Sequence, residues 1–241
     1  MDMKTSFEVR VYPIDEPMGS TLGFASVSIG GLAAIRGVRV VQGEHEPFVS
    51  MPKVKDKKGN YHEIASPLND DLRKEIYDAV LAEYEKQSFL PLEDRAYEDT
   101  DKDTRFIKNA EDVKHKLDIF IPIDPKGSTQ AYVNIVLDDI VSIRSARIVN
   151  GEKGLFLSMP QSKDNKTGDF KDIAFPLSGD VRKAISKEAL EIFAQRVAER
   201  DSKKQGIGEK IAAGVEKAMQ YSAAAPTRAP AAAKSSPGLG D

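Results

Sequence analysis

The chain has 241 residues, of which 40% are hydrophobic and 30% charged, and its formal net charge is −3. This composition is typical of a globular protein and excludes a surface that is basic overall, so any anion-binding site must be a local patch. The absence of cysteine, of a long apolar run and of a signal-peptide core predicts a cytoplasmic protein without disulfides or a membrane span.

The N-terminal part predicts several strands and then a helix. Apolar and polar residues alternate from Phe7 to Val11, which is the period of a half-buried strand. Further strands are predicted in LGFASVSIGG, AAIRGVRVV, PFVSM and YHEIA. From Leu72 to Tyr84 the apolar residues follow a helical period, and Asn69 is the predicted N-cap residue.

The same order of elements returns further along the chain. Strands are predicted in LDIFIPI, AYVNIVLD, IVSIRSARIV, GLFLSM and FKDIA. The helix that follows should bury a face formed by Val181, Ile185, Ala189, Ile192 and Val197. Ser178 stands at the position of Asn69, and both side chains can cap a helix.

An internal repeat explains this order. PFVSMP at 47–52 returns as LFLSMP at 155–160, and IASPL from Ile64 returns as IAFPL from Ile173. Matching residues are 108 positions apart up to Pro52 and 109 positions apart after the loop that follows it. The sequence therefore predicts two tandem repeats.

The predicted class is α+β, with an antiparallel sheet of about five strands and a helix in each repeat. The predicted boundaries are 1–88 for repeat 1, 89–116 for an acidic linker and 117–200 for repeat 2. In 201–241 we expect a short helix through Ile207 and Met219 and then a disordered tail rich in Ala, Pro and Ser.

The sequence offers little to catalysis. No histidines have metal-ligand spacing, and no glycine-rich loop stands between a strand and a helix with a following lysine. We therefore expect no enzyme, no catalytic residue, no metal and no cofactor.

Lysine and arginine placement is more informative. The loop PKVKDKKGNYHE is net positive, whereas the matching loop of repeat 2 is neutral. The helices open with Arg73 and Lys74 and with Arg182 and Lys183. Strand arginines three positions apart, such as Arg36 with Arg39 and Arg144 with Arg147, are expected on opposite faces of a regular strand. No strand is rich in aromatic residues, so the sequence does not predict base stacking.

Each repeat resembles the stage V sporulation protein G (SpoVG, septation protein) family. The resemblance is carried by RVVQGEHEPFVSMP, the lysine-rich loop, HEIASPL and Arg73, and by RIVNGEKGLFLSMP, FKDIAFPL and Arg182. It implies a small bacterial regulator that binds DNA and RNA as a homodimer, so the two repeats are expected to form an intramolecular pseudo-dimer. The family's usual histidine is replaced by Ser66 and Phe175.

The resemblance also implies where nucleic acid binds, namely at the basic loop and the neighbouring helix start. With the two lysines that follow the helix arginines, the expected residues are Lys53, Lys55, Lys57, Lys58, Arg73, Lys74, Lys163, Lys166, Lys171, Arg182 and Lys183. The expected partner is DNA or RNA, with no membrane. Self-association and protein partners of the linker or tail stay open, and the alternative function is a non-catalytic protein-interaction or scaffold module.

Overall fold

A computed structural model describes residues 5–56, 58–95, 107–125, 127–163 and 168–224 of the chain. The chain divides into two units, residues 1–194 and 195–241, and both repeats lie in the first. Lys57 and Lys166, both expected to bind nucleic acid, lie outside the described residues, as does the part of the predicted disordered tail from residue 225 onward.

Repeat 1 forms an antiparallel meander, a small hairpin, a short strand and a helix. Its elements are β1 Phe7–Met18, β2 Thr21–Ile29, β3 Ala33–Gln42, β4 Pro47–Ser50, β5 Lys53–Lys55, β6 Tyr61–Glu63, β7 Ala65–Pro67 and α1 Asp70–Ser88. Strands β1 to β4 pair in chain order, whereas β5 pairs only with β6 and forms a separate hairpin. The alternation in β2 places Ala25, Val27 and Ile29 in the core.

Repeat 2 follows the same plan. Its elements are β8 His115–Phe120, β9 Thr129–Leu137, β10 Val141–Gly151, β11 Gly154–Ser158, β12 Gln161–Lys163, β13 Phe170–Asp172, β14 Ala174–Pro176 and α2 Gly179–Ala224. Strands β8 to β11 form the second sheet, and β12 pairs with β13. The predicted α+β class with two tandem repeats is confirmed.

The two repeats are joined by reciprocal exchange of a strand. Strand β7 of repeat 1 pairs with β10 of repeat 2, and β14 of repeat 2 pairs with β3 of repeat 1. A backbone hydrogen bond lies next to each exchanged strand, at matching positions of the repeat. The Arg144 amide donates to the Ile64 carbonyl at 2.6 Å, and the Arg36 amide donates to the Ile173 carbonyl at 2.6 Å. The fifth strand of each sheet thus comes from the other repeat, which makes the chain an intramolecular pseudo-dimer.

Both helices begin at the predicted caps. The Asn69 side chain accepts a hydrogen bond from the Leu72 amide at 3.1 Å, and the Ser178 hydroxyl accepts one from the Val181 amide at 3.4 Å. The buried residues of α2 are Val181, Ile185, Ala189 and Phe193, whereas the predicted Ile192 and Val197 are half-buried. Helix α2 also runs without a break to Ala224, through the segment for which the sequence predicts a separate short helix.

The linker is fixed at both of its described ends. Arg95 donates to the Asp15 carboxylate at 2.7 Å, and the Lys108 ammonium lies 2.6 Å from an oxygen of Asp138. The Lys108 amide also donates to the Gly31 carbonyl at 3.2 Å. Residue 107 is thereby held close to the turn between β2 and β3.

Candidate functional site

The tip of the β5–β6 hairpin is built around the Asp56 carboxylate. It accepts hydrogen bonds from the amides of Lys58 and Asn60, each at 2.8 Å, and lies 2.8 Å from the His62 Nε2. The hydrogen bond with His62, supported by those from the loop, lowers the pKa of Asp56 to about 2. Gly59, at a φ of 93°, supplies the left-handed residue that the turn needs. The carboxylate that shapes this tip is therefore already engaged within it.

The described lysines of this hairpin are exposed to solvent. Lys53, Lys55 and Lys58 are exposed, and the Lys55 ammonium lies 5.5 Å from the ring centroid of Tyr61. Lys53 and Lys55 share one face of β5 because side chains two positions apart on a strand point the same way. This face is available to an anion.

Arg73 has a different environment. Its Nη1 donates to both carboxylate oxygens of Glu63 at 3.0 Å and to the Tyr77 hydroxyl at 3.3 Å, while Nη2 reaches the Pro67 carbonyl at 3.4 Å. Burial acts to lower the pKa of Arg73, but the hydrogen bonds with Tyr77 and Glu63 and the Glu63 charge outweigh it and raise the pKa. Arg73 therefore ties the hairpin to α1, and the adjacent Lys74 stays exposed on the helix surface.

In repeat 2 a related ion pair connects the helix to the hairpin. Arg182 lies 2.8 Å from an oxygen of Asp172, which occupies the repeat position of Glu63. Lys183 pairs with Asp180 at 3.0 Å on the exposed first turn of α2. Lys163 and Lys171 are exposed on β12 and β13. The cations at the helix starts therefore have carboxylate partners in repeat 2.

The strand arginines do not lie on opposite faces, contrary to the expectation from a regular strand. In β10 the pairing with β9 shifts between Ile143 and Ala146, and Ser145 in the extra position has a φ of 64°. In β3 the same shift surrounds Gly37, at a φ of 71°. A bulge of this kind adds one residue and restores the facing of the next, so arginines three positions apart share one face.

A groove of about 670 Å³ lies between the hairpin of repeat 1 and the outer face of the sheet of repeat 2. We call it the open groove. It is lined by Val54, Lys55, Asp56, His62, Glu63, Ile64, Tyr132, Asn134, Arg144, Ser145, Arg147, Pro160 and Gln161. Repeat 1 contributes the first six of these residues and repeat 2 the others, so neither repeat forms the groove alone.

The charges left free in the open groove are positive. Asp56 is engaged within the hairpin tip and Glu63 is paired with Arg73. In the described part of the chain, Lys55, Arg144 and Arg147 have no ion pair. The sequence shows both arginines but does not predict them in the site, because the bulge that turns them to one face has a serine rather than a glycine in repeat 2.

The symmetry-related position holds a smaller groove of about 470 Å³, which we call the mirror groove. There the Arg36 guanidinium carbon lies 4.8 Å from the ring centroid of Phe175, and Ile107 of the linker contributes to the lining. The repeat position of Phe175 is Ser66, which does not line the open groove and is buried with its hydroxyl 3.5 Å from that of Ser142. The two grooves are thus related by the repeat but differ in content.

In the described residues, no group of three His, Cys, Asp or Glu side chains is arranged to hold a metal ion. None of their helices combines the length and the apolar character that crossing a membrane requires.

Comparison with known proteins identifies the family. The SpoVG family model matches residues 3–86 and again residues 115–195, so this chain belongs to the SpoVG family and contains its domain twice. A septation protein SpoVG of Clostridium botulinum (strain Alaska E43 / Type E3) is 35% identical over 79 residues, which are 33% of this chain and 86% of that protein. One from Anaeromyxobacter sp. (strain K) is 38% identical over 87 residues, 36% of this chain and 80% of the relative. Each relative therefore corresponds to a single repeat.

Proposed function

We propose that this SpoVG-family chain is a non-catalytic, nucleic-acid-binding regulator of the bacterial cytoplasm that holds a DNA or RNA backbone in the open groove. The observation that carries the proposal is the convergence of Lys55, Arg144 and Arg147 from two repeats, with the neighbouring carboxylates already engaged. Cations without an internal ion pair bind phosphates with release of counterions, and arginine can engage a phosphate with two donors.

The other cations predicted from the sequence extend this surface to different degrees. Lys53 shares the exposed face of Lys55, and Lys58 follows at the hairpin tip. Arg73 acts on the site through Glu63, because its contact keeps that carboxylate neutralised and holds the hairpin against α1. We assign Arg73 a supporting position beside the phosphates rather than a contact with them.

A salt titration with matched variants tests the proposal. The triple variant Lys55→Ala, Arg144→Ala and Arg147→Ala removes the free cations of the open groove. The control, Lys163→Ala, Arg36→Ala and Arg39→Ala, changes the repeat-related positions.

Three phosphate contacts predict a slope of log affinity against log salt of about −2 on a single strand and about −3 on duplex DNA. The first triple variant should lose this slope and the control should keep most of it, with the melting temperature of each variant monitoring the fold. Affinity that is absent or independent of salt, or equal losses in both variants, would contradict the proposal.

A protein-interaction module is the second candidate, favoured by exposed apolar side chains at the outer strands. Phe48 on β4 is 49% exposed, and Leu155 and Phe156 on β11 are 45% and 48% exposed. Exposed apolar clusters often mark protein-binding surfaces. Capture of a defined protein from nuclease-treated lysate, together with no affinity for DNA or RNA, would select this function over the first.

A further inference from the structure

Two exposed aromatic rings and an arginine lie side by side across the second sheet. Phe120 on β8 is the direct partner of Tyr132 on β9, and Tyr132 is the direct partner of Arg147 on β10. Side chains at directly opposed positions lie on the same face with their Cβ atoms about 5 Å apart. Phe120 is 64% exposed and Tyr132 is 47% exposed. We call these three residues the stacking row.

The stacking row continues the open groove. Tyr132 and Arg147 belong to both, so a ligand held by Lys55 and Arg144 reaches the exposed rings without leaving the protein surface. The rings stand on strands fixed in a sheet, which positions their faces at little entropic cost. Contiguous exposed apolar surface on a soluble protein often marks a binding site.

The charge pattern indicates which part of a ligand lies over the rings. Cations are present at the Arg147 end of the row and in the groove, where phosphates are favoured. At the other end Asp118, two positions from Phe120, is exposed on the same face. Its carboxylate disfavours phosphate there and leaves the rings to uncharged, flat groups.

We infer that the stacking row receives unpaired bases of a single-stranded nucleic acid whose phosphates lie in the open groove. This inference rests on the proposed function and adds the ligand class to it. The bases of a duplex are stacked inside the helix and cannot reach the rings, whereas bases of a single strand can stack on aromatic side chains irrespective of sequence. Arg147, beside Tyr132, can contact a base or a phosphate.

The first sheet supplies a natural control. Its related row is Tyr12, Phe24 and Arg39, again direct partners across β1, β2 and β3. Both rings are less exposed than their counterparts in the second sheet, since Phe24 is 40% exposed and Tyr12 is half-buried. The groove beside this row is the mirror groove, in which Arg36 already lies against Phe175. We expect this row to contribute less.

A tryptophan reporter tests the inference directly, because the chain contains no tryptophan. In the full-length variant Phe120→Trp, a single-stranded DNA of about 15 nucleotides should quench the emission with the midpoint that anisotropy gives for binding. An abasic strand of the same length and a blunt duplex should bind through phosphates without this quenching. The control Phe89→Trp, at a position 87% exposed directly after α1, should not respond to any of the three.

Affinity measurements on unlabelled variants complete the test. Phe120→Ala, at a position outside the open groove, should weaken binding of the base-bearing strand about tenfold and leave binding of the abasic strand unchanged, while Phe120→Tyr should retain the affinity. Phe24→Ala on the first sheet should have a smaller effect than Phe120→Ala. Equal loss for the abasic strand would show that Phe120 supports the fold, which would overturn the inference.

The outcomes separate this inference from the proposed function. Strong, salt-dependent binding of the abasic strand and the duplex without quenching at position 120 would leave the proposed function standing and overturn stacking. No binding of any strand would overturn both. Emission at position 120 that changes with protein concentration before DNA is added would show that a second copy covers the row, which also overturns stacking.

Discussion

Removing the side chain of Ile143 should destabilise both repeats, although the residue belongs to repeat 2. Ile143 on β10 is fully buried and lies between Ile135 of its own sheet and Ala65, which β7 of repeat 1 contributes. The loss of this side chain therefore weakens the contact through which repeat 1 completes the second sheet. The mirror position is Ile35, which is also fully buried and pairs with Ala174 of repeat 2.

The size of the effect follows from burial. Truncating a fully buried isoleucine to alanine costs about 3 kcal/mol, from lost transfer free energy and from the cavity that remains. With a urea m-value of about 3 kcal/mol/M, the unfolding midpoint should fall by about 1 M. Because each sheet needs a strand from the other repeat, the unit should unfold as one, and both repeats should show the whole shift.

Reporters at matching positions measure this shift. Phe24→Trp on β2 and Tyr132→Trp on β9, each introduced alone, place one emission signal in each repeat. Urea titrations of both reporters, with and without Ile143→Ala, should give coincident curves that move together, and Ile35→Ala should act alike. A repeat 1 reporter that keeps its midpoint when Ile143 is truncated would refute the reasoning, because the repeats would then be independent domains.

The remaining predictions concern the bulge, the hairpin tip and the ion pairs between hairpin and helix. Ser145→Gly should raise the free energy of unfolding by about 1 kcal/mol, because glycine adopts the left-handed backbone of the bulge without strain. Gly37→Ser should lower the free energy of unfolding by about the same amount, because a Cβ there meets nothing within 4 Å and only the backbone strain is added. A denaturant titration in which either change has the reverse effect would contradict this reasoning. The lowered pKa of Asp56 stabilises the hairpin tip above about pH 4, and this stabilisation should disappear as the pH falls through about 2. A carbon-13 titration of the Asp56 carboxyl group with its midpoint near 3.8 would disprove the prediction. Arg73→Ala should lower the free energy of unfolding in urea by about 2 kcal/mol, and Arg182→Ala, at a more exposed position, should lower it less. If Arg73→Ala instead reduces the salt dependence of nucleic-acid binding and leaves the stability unchanged, Arg73 contacts the phosphates.

Features encoded over short stretches of the chain could be predicted from the sequence. The period of two in β2, the helical period from Leu72 and the caps at Asn69 and Ser178 each depend on residues within one or two turns. The repeat strengthened these predictions, because two different capping residues at one repeat position indicate the same helix start. The α+β class followed from the order of these elements.

The strand exchange could not be predicted in the same way. Strands β7 and β14 are three residues long, and their apolar pattern satisfies burial against either sheet. Only the packing of whole sheets decides which partner they take. The sequence predicts one strand in YHEIA and one in FKDIA. The structure divides each into a hairpin strand of its own repeat, β6 or β13, and the start of a short strand, β7 or β14, that completes the sheet of the other repeat.

The candidate site could be predicted from the sequence only in part, for a related reason. The lysines of one loop are adjacent in sequence, whereas Lys55 meets Arg144 only through the exchange that carries the hairpin of repeat 1 onto the second sheet. The bulge was signalled by glycine at position 37 but masked by serine at position 145. The rings of Phe120 and Tyr132 stand on separate strands, so neither strand is rich in aromatic residues.

Joining two SpoVG domains in one chain explains why the grooves differ. In a symmetric homodimer any substitution appears in both grooves, so filling one also fills the other. In this chain the mirror groove contains Phe175 against Arg36 and the linker residue Ile107, whereas Ser66, at the repeat position of Phe175, is small and buried and does not line the open groove. A ring at position 66 would give Arg144 the partner that Arg36 has and would remove a free cation from the open groove. The serine therefore keeps Arg144 available to an external anion, and the mirror groove is free to serve the stability of the pseudo-dimer.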